Sequence, residues 1–269
     1  MANDYWAKRV ADSQTRLTDK SIKETNKQIK KYYSQTLFDV IGQFEKTYNK
    51  LISSITDGRQ PTPADLYKLD SYWQLQIQLK EKLKKLGDKQ SLLLANQFED
   101  LYLTIYNSLA IKSDVSFSTL DEAAVKQMIS QIWVADGKNW SQRLWQSTDK
   151  LQQALNEHLV ECVVAGKKTS DLKKMLINDF DVSYGRVDSL VRTEMAHIQT
   201  QAAQHRYKDY GIKEVEVWVD EDERTCEICA KYEGRRYSIN GQMPIPFHPR
   251  CRCCIVPVLS GADDKQQLK

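Results

Sequence analysis

The sequence predicts an α+β protein: a largely helical N-terminal half with long helices, then helices leading into a small antiparallel three-stranded sheet that carries a Cys/His cluster. Three observations carry this reading. Apolar residues recur at helical spacing along most of the chain, for instance Ile29, Tyr33, Leu37, Val40, Phe44, Tyr48 and Leu51. Val215, Val217 and Val219 alternate with Glu216 and Trp218, the period of a strand. Five of the six cysteines fall between Cys226 and Cys254, with His248 among them.

The bulk numbers bound the answer. A chain of 269 residues makes one or two domains with a sizeable core. Lys, Gln, Leu and Glu are common and Gly and Pro are few, which suits helices. The net charge of +3 is too small to argue for nucleic acid by itself. The N-terminus is polar, with no apolar core before a cleavage site, and no run of about eighteen apolar residues exists to span a membrane. A cytoplasmic protein is expected, in which thiols stay reduced. That favours metal binding or buried free thiols over disulfides.

The elements follow in order. Residues 4–55 predict one long helix, polar early and amphipathic later, stopping near Asp57-Gly58. Thr62-Pro63-Ala64-Asp65 is a helix start, with Thr as N-cap and Pro at the first helical position. That helix is expected to end at Gly87, and another to run from Lys89 to Ile111, giving an antiparallel helical hairpin. Ser118-Thr119 caps a short helix to Val134. Trp140 opens a helix to Ala165, stopped by Gly166. Thr169 or Ser170 caps a short helix to Asp179, and Ser183 caps another that ends at Gly211. Three strands follow: one around Val215–Val219, then Arg235–Ile239 and Cys251–Leu259. The resulting organisation is a helical region over 1–138, an α+β domain over 139–260 and a flexible tail over 261–269.

The cysteine cluster is where chemistry is expected. Cys226 and Cys229 form a CxxC pair, and His248, Cys251 and Cys253 arrive about twenty residues later, a spacing that suits a tetrahedral zinc site. In a strand over 251–254, Cys251 and Cys253 share one face, and Arg250, Arg252 and Cys254 the other. His248 stands just before and can replace one thiol. Two other readings stay open: small buried thiols packing the sheet, and disulfides. A catalytic cysteine is not expected, because four protein ligands leave no open position and no separate base is evident. His158, His197 and His205 lie in helical patterns and read as surface or core-edge residues.

Two further sets of residues stand out. Arg192 and Glu194 flank the apolar stripe of Leu190, Val191 and Met195, and are expected to act as a structural clamp on the cysteine turn. Arg235, Arg236, Arg250 and Arg252 are the only charges between Gly234 and Gly261. On one sheet face they would make a nucleic-acid contact. The plainer reading of these arginines, and of the acidic run Asp220–Glu223, is a solvated sheet edge and turn.

The run Leu190-Val191-Arg192-Thr193-Glu194, the strand Val217-Trp218-Val219, Asp222-Glu223-Arg224-Thr225-Cys226 with Cys229, Gly234, and Pro246-Phe247-His248-Pro249-Arg250-Cys251-Arg252-Cys253 resemble the phage head morphogenesis domain, the phage Mu protein F-like family of minor head proteins. Trp140, Gly166 and Asp171-Leu172 extend the likeness upstream, to about 120 residues from Asn139 to Val258. The resemblance implies a non-enzymatic minor capsid protein of a tailed phage or prophage, found inside the head of the virion and in the host cytoplasm during assembly. Its implied partners are the portal protein and other head proteins, with DNA in some relatives, and no membrane or small-molecule substrate. Family members vary at the first cysteine pair, and this chain retains it, so structural zinc stays open as a cofactor. Some relatives carry a toxin domain after this module, and none is expected here. The rival function is a zinc-stabilised nucleic-acid-binding module.

Overall fold

The computed structural model describes residues 2–55, 61–109, 120–219, 222–223 and 225–259. The expected stop at Asp57-Gly58, the caps at Ser118-Thr119 and the tail over 261–269 lie outside these. The elements are α1 (Ala2–Ile55), α2 (Pro63–Tyr67), α3 (Asp70–Ser108), α4 (Glu122–Ile129), α5 (Trp140–Val164), α6 (Thr169–Asp209), β1 (Glu214–Trp218), α7 (Glu227–Ala230), β2 (Arg236–Ser238) and β3 (Cys254–Pro257). The fold is α+β as expected, with an antiparallel sheet of order β2-β1-β3. No described helix is long and apolar enough to cross a membrane.

The chain forms two compact units. One comprises Met1–Thr25, Leu94–Asn139 and Ser189–Lys269; the other comprises Asn26–Leu93 and Trp140–Asp188. Each unit draws on both sides of position 139, where the sequence reading drew its boundary, because α1, α3 and α6 each supply residues to both.

In the second unit, polar groups on the helices find partners across the core. Tyr33 and Ser183 share a hydroxyl hydrogen bond of 2.9 Å, and the Tyr48 hydroxyl donates to the carbonyls of Cys162 (3.0 Å) and Lys167 (2.6 Å). Two expected helix ends prove to be helix interiors here. α3 runs unbroken through Gly87, where a Cβ would sit 2.5 Å from Cζ3 of Trp145. The glycine is there for close packing, not to end the helix, so the expected hairpin over 62–111 does not form. Ser183 likewise caps nothing. It is fully buried inside α6, and its hydroxyl serves Tyr33. Gly166 does end a helix, at φ +60° just beyond α5.

In the first unit, α1, α6 and the sheet share a core. Val215 and Val217 of β1 are fully buried, and Ala11 of α1 packs with Cys254 and Val256 of β3. Gln14 of α1 donates to the Tyr207 hydroxyl (3.3 Å) and to the carbonyl of Ile255 (3.0 Å). The early part of α1 is therefore not a solvated stretch. Its buried face is continued by polar residues, Gln14, Thr18 and Thr25, which is why apolar periodicity fails there. α4 is capped by Asp121, which accepts from the Ala123 N–H at 2.9 Å, and it ends at Ile129, short of Val134. β3 begins at Cys254, so Cys251 and Cys253 precede the strand and do not alternate within it.

Candidate metal centre

The centre is built from two short segments of the first unit. Cys226 is the N-cap of α7, and its Sγ accepts the Cys229 N–H at 3.4 Å. This knuckle directs both sulfurs to one side of a tight turn. The second segment, His248–Cys253, is tied down at several points. Phe247 stacks on Tyr232 at 4.1 Å, just beyond α7. The Arg250 N–H donates to Thr193 Oγ1 on α6 at 3.1 Å. Arg252 reaches both carboxylate oxygens of Asp222, at 2.9 and 2.6 Å, a fork that binds the two segments together.

All five sequence-nominated donors converge. His248 Nε2 lies 3.2 Å from Cys226 Sγ and 3.1 Å from Cys229 Sγ, and Cys229 Sγ lies 3.8 Å from Cys251 Sγ. The donors make two triads that share Cys229: Cys226–Cys229–His248 and Cys229–Cys251–Cys253, with the atoms of each within 4.8 Å of one another. The fifth cysteine of the C-terminal motif, Cys254, faces the core beside Ala11 and takes no part. Every described cysteine is a free thiol.

The chemistry of this donor set fits a metal ion. Zinc–sulfur bonds of about 2.3 Å at tetrahedral angles put ligand sulfurs about 3.8 Å apart, the Cys229–Cys251 separation. His248 Nδ1 lies 2.8 Å from the Pro249 carbonyl, which can only accept, so Nδ1 carries a proton and Nε2 is turned towards the thiols. Metal-bound histidines are held in this way, by the N–H that does not face the ion. A small cavity of about 30 Å³ borders the centre, lined by Cys226, Cys229, His248 and Cys253 together with Thr225 and Arg252.

The surroundings favour the thiolate on Cys226 and Cys251 and disfavour it on Cys229 and Cys253. The Cys253 thiol hydrogen-bonds to Cys251, which holds Cys251 below the usual thiol range and pushes Cys253 above it. Burial pushes Cys229 up. The Cys229 backbone N–H pulls Cys226 down. Burial works against charge on His248, but the Pro249 carbonyl and the neighbouring sulfurs outweigh it and raise its pKa.

The remaining nominated residues fall elsewhere. Glu194 is buried and accepts from Trp133 Nε1 at 2.9 Å. Arg192 lines a cavity with Arg250 and Arg252. The residue between them, Thr193, holds the cysteine loop, and its hydroxyl in turn donates to the Ser189 carbonyl. Sequence reasoning passed over Thr193 because a threonine inside a helix carries no pattern of its own. Three of the four arginines have named partners. Arg236 pairs with Glu216 across β1 and β2 at 3.1 Å, Arg235 lies over the Tyr232 ring at 4.8 Å, and Arg252 is held by Asp222.

Residues 153–256 match the family described as Phage Mu protein F like protein. The match contains the centre and most of the motifs behind the resemblance, so the chain carries a phage Mu F-like segment, of a phage head-related family. Among curated proteins, a protein of Enterococcus faecalis named NAD(+)--arginine ADP-ribosyltransferase EFV is 22% identical over 259 residues, covering 88% of this chain and 52% of the relative. The chain thus spans about half the length of that relative. No solved structure matches this chain.

Proposed function

We propose that this chain is a non-enzymatic minor head protein of a tailed phage or prophage, acting in capsid assembly at the portal vertex. The match of residues 153–256 to the phage Mu F-like family carries the reading. In it the protein resides inside the head, and in the host cytoplasm during assembly, with the portal protein and other head proteins as partners and packaged DNA nearby. The Cys/His centre then serves as a fastening. One structural zinc ion is held by Cys226, Cys229, His248 and Cys251, and Cys253 donates its S–H to the Cys251 sulfur. Four protein ligands leave no open position, as in a structural site and unlike a catalytic one. The ADP-ribosyltransferase activity in the relative's name is not carried over, since only 52% of that protein is covered.

The rival, a zinc-stabilised nucleic-acid-binding module, has less support. It needs free basic groups on one face, and Arg236 and Arg252 are engaged by carboxylates. Steep salt dependence of DNA binding would favour it. The deciding experiment is co-expression with the portal protein of the same phage or prophage, followed by affinity purification and mass spectrometry of assembled heads. Recovery with the portal and in heads is expected. Failure to appear in either would sink the assignment.

A further inference from the structure

The second unit holds an open cleft of about 540 Å³, within the roughly 300–1,000 Å³ of small-molecule sites. Three helices line it. Tyr67 closes α2, Trp73, Ile77 and Lys80 lie on α3, and Gln152 and Asn156 come from α5. On α3 and α5 these residues are spaced by three and four, so each helix turns one face to the cleft.

The cleft combines two kinds of surface that a ligand can reach. The first is aromatic. Trp73 is 52% exposed and Tyr67 45%. The Trp73 indole is held in place: its N–H donates to the Tyr67 carbonyl at 2.8 Å, and it meets the buried Tyr72 edge-on, with centroids 5.1 Å apart. Its polar edge is engaged, so the ring has its face to offer. The second is a pair of carboxamides. The Tyr72 hydroxyl donates to Asn156 Oδ1 at 2.7 Å, which leaves the Asn156 N–H₂ turned away from that bond. Neither this N–H₂ nor the Gln152 carboxamide has a partner among the described residues, and both side chains are half-buried with their polar atoms still open to solvent. Lys80 is the one charged residue among those lining the cleft.

We infer that this cleft binds a neutral saccharide. A pyranose ring presents a flat C–H face, which stacks on an aromatic ring, and a rim of hydroxyls that both donate and accept. A carboxamide also does both, through its oxygen and its N–H₂, so it pairs with neighbouring hydroxyls. Trp73 and Tyr67 match the face, and Gln152 and Asn156 match the rim. Two other ligands that use aromatic walls fit less well. Nucleic acid brings phosphates that ask for several cations, and a single lysine lines the cleft. A proline-rich peptide has prolines without an N–H to give the Gln152 oxygen, and the ring-edge donors that would meet its carbonyls, the indole N–H and the Tyr72 hydroxyl, are already engaged. The inference goes beyond the head-assembly reading and does not depend on it.

Saturation-transfer NMR of the full-length protein tests it, with maltotriose, cellotriose and chitotriose as the probes. Transfer from the protein to the ring protons of at least one of these sugars is expected, and titration of that sugar gives its affinity. Trp73→Ala removes the stacking face and is expected to weaken binding at least about tenfold. Gln152→Ala removes an amide that holds no partner in the fold, and is expected to weaken binding at least about threefold. Both residues lie outside the buried core, and circular dichroism melts confirm that the variants stay folded. Lys80→Gln should change the affinity by less than about twofold, because a neutral sugar gains little from the ammonium group. No transfer to any of the three sugars overturns the inference, as does affinity unchanged in folded Trp73→Ala and Gln152→Ala. A large loss in Lys80→Gln would overturn the neutral class in favour of an anionic ligand. Binding of decaproline at this cleft, with no sugar bound, would make it a peptide site and overturn the inference as well.

Discussion

The indole of Trp133 lies flat against the imidazole of His197, with ring centroids 4.2 Å apart and planes 8° from parallel. One turn earlier on α6, Glu194 accepts the N–H of the same indole at 2.9 Å. A single tryptophan from the segment after α4 is thus gripped by two residues of α6 at i and i+3. Burial against this ring lowers the pKa of His197 to about 4, and a hydrogen bond with the Ile245 backbone opposes the shift only in part.

That shift makes stability depend on pH. The unfolded chain protonates this histidine near its ordinary value of 6.5, and the folded protein only near 4. Above pH 6.5 both states are neutral and the contribution is intact. As pH falls from 6.5 to about 4, the unfolded state binds the proton first and stability is lost, by at most about 3 kcal/mol. Urea melts of wild type and His197→Phe across this window should diverge, with the variant less sensitive to acid. Parallel pH profiles would show that His197 is not held neutral.

Glu194 is 2% exposed, and its partner indole must be satisfied. Glu194→Ala leaves a buried N–H without an acceptor, for an expected loss of about 1–3 kcal/mol. Glu194→Gln keeps an acceptor oxygen and should lose less. Arg192→Met serves as the contrast, because Arg192 is only partly buried on the cavity wall. Denaturant melts that rank Gln at or below Ala in stability would remove the Trp133 bond from the account.

The two helical glycines at positions 42 and 87 should respond in opposite directions. At Gly42 an added Cβ meets nothing within 4 Å, so Gly42→Ala should gain about 0.5–1 kcal/mol from helix propensity. At Gly87 the same Cβ lies 2.5 Å from the Trp145 ring, and overpacking costs about 1–3 kcal/mol. Gly87→Ala should therefore be neutral to destabilising, despite its better propensity. Thermal melts of both variants check this, and a clear gain at Gly87 would mean that Trp145 yields.

The same glycine marks where sequence reasoning fell short. Gly87 and Ser183 looked like helix punctuation because glycine ends helices and serine caps them, yet both choices depend on a partner distant in sequence. Trp145 fills the space at Gly87, and the Tyr33 hydroxyl meets Ser183. Period and spacing carry no information about such partners. Strand alternation at Val215–Val219 and the CxxC turn are local, and both were legible. So was the convergence of His248 and Cys251 on that turn, because metal-ligand spacing encodes a long-range contact. The holding role of Thr193 was not, since its contact with Arg250 belongs to the tertiary structure alone.

The assigned ligands make the final prediction. Wild-type protein purified without chelator should carry one zinc per chain by elemental analysis. Cys226→Ser combined with Cys229→Ser removes ligands from both triads, so the ion should be absent and the module beyond α6 should become sensitive to limited proteolysis. Cys253→Ser behaves differently. A serine hydroxyl can also donate to the Cys251 sulfur, so the ion should remain, held about 10–100-fold more weakly if the hydrogen bond is imperfectly replaced. Zinc affinity should fall as pH falls, because protons compete for the thiolates and for His248 Nε2. The two single variants Cys253→Ser and His248→Ala separate the alternatives for the fourth position. Loss of zinc in Cys253→Ser with retention in His248→Ala would move the fourth bond from the imidazole to the Cys253 sulfur. No zinc in wild type, with proteolysis unchanged in the double variant, would leave a nest of packed thiols.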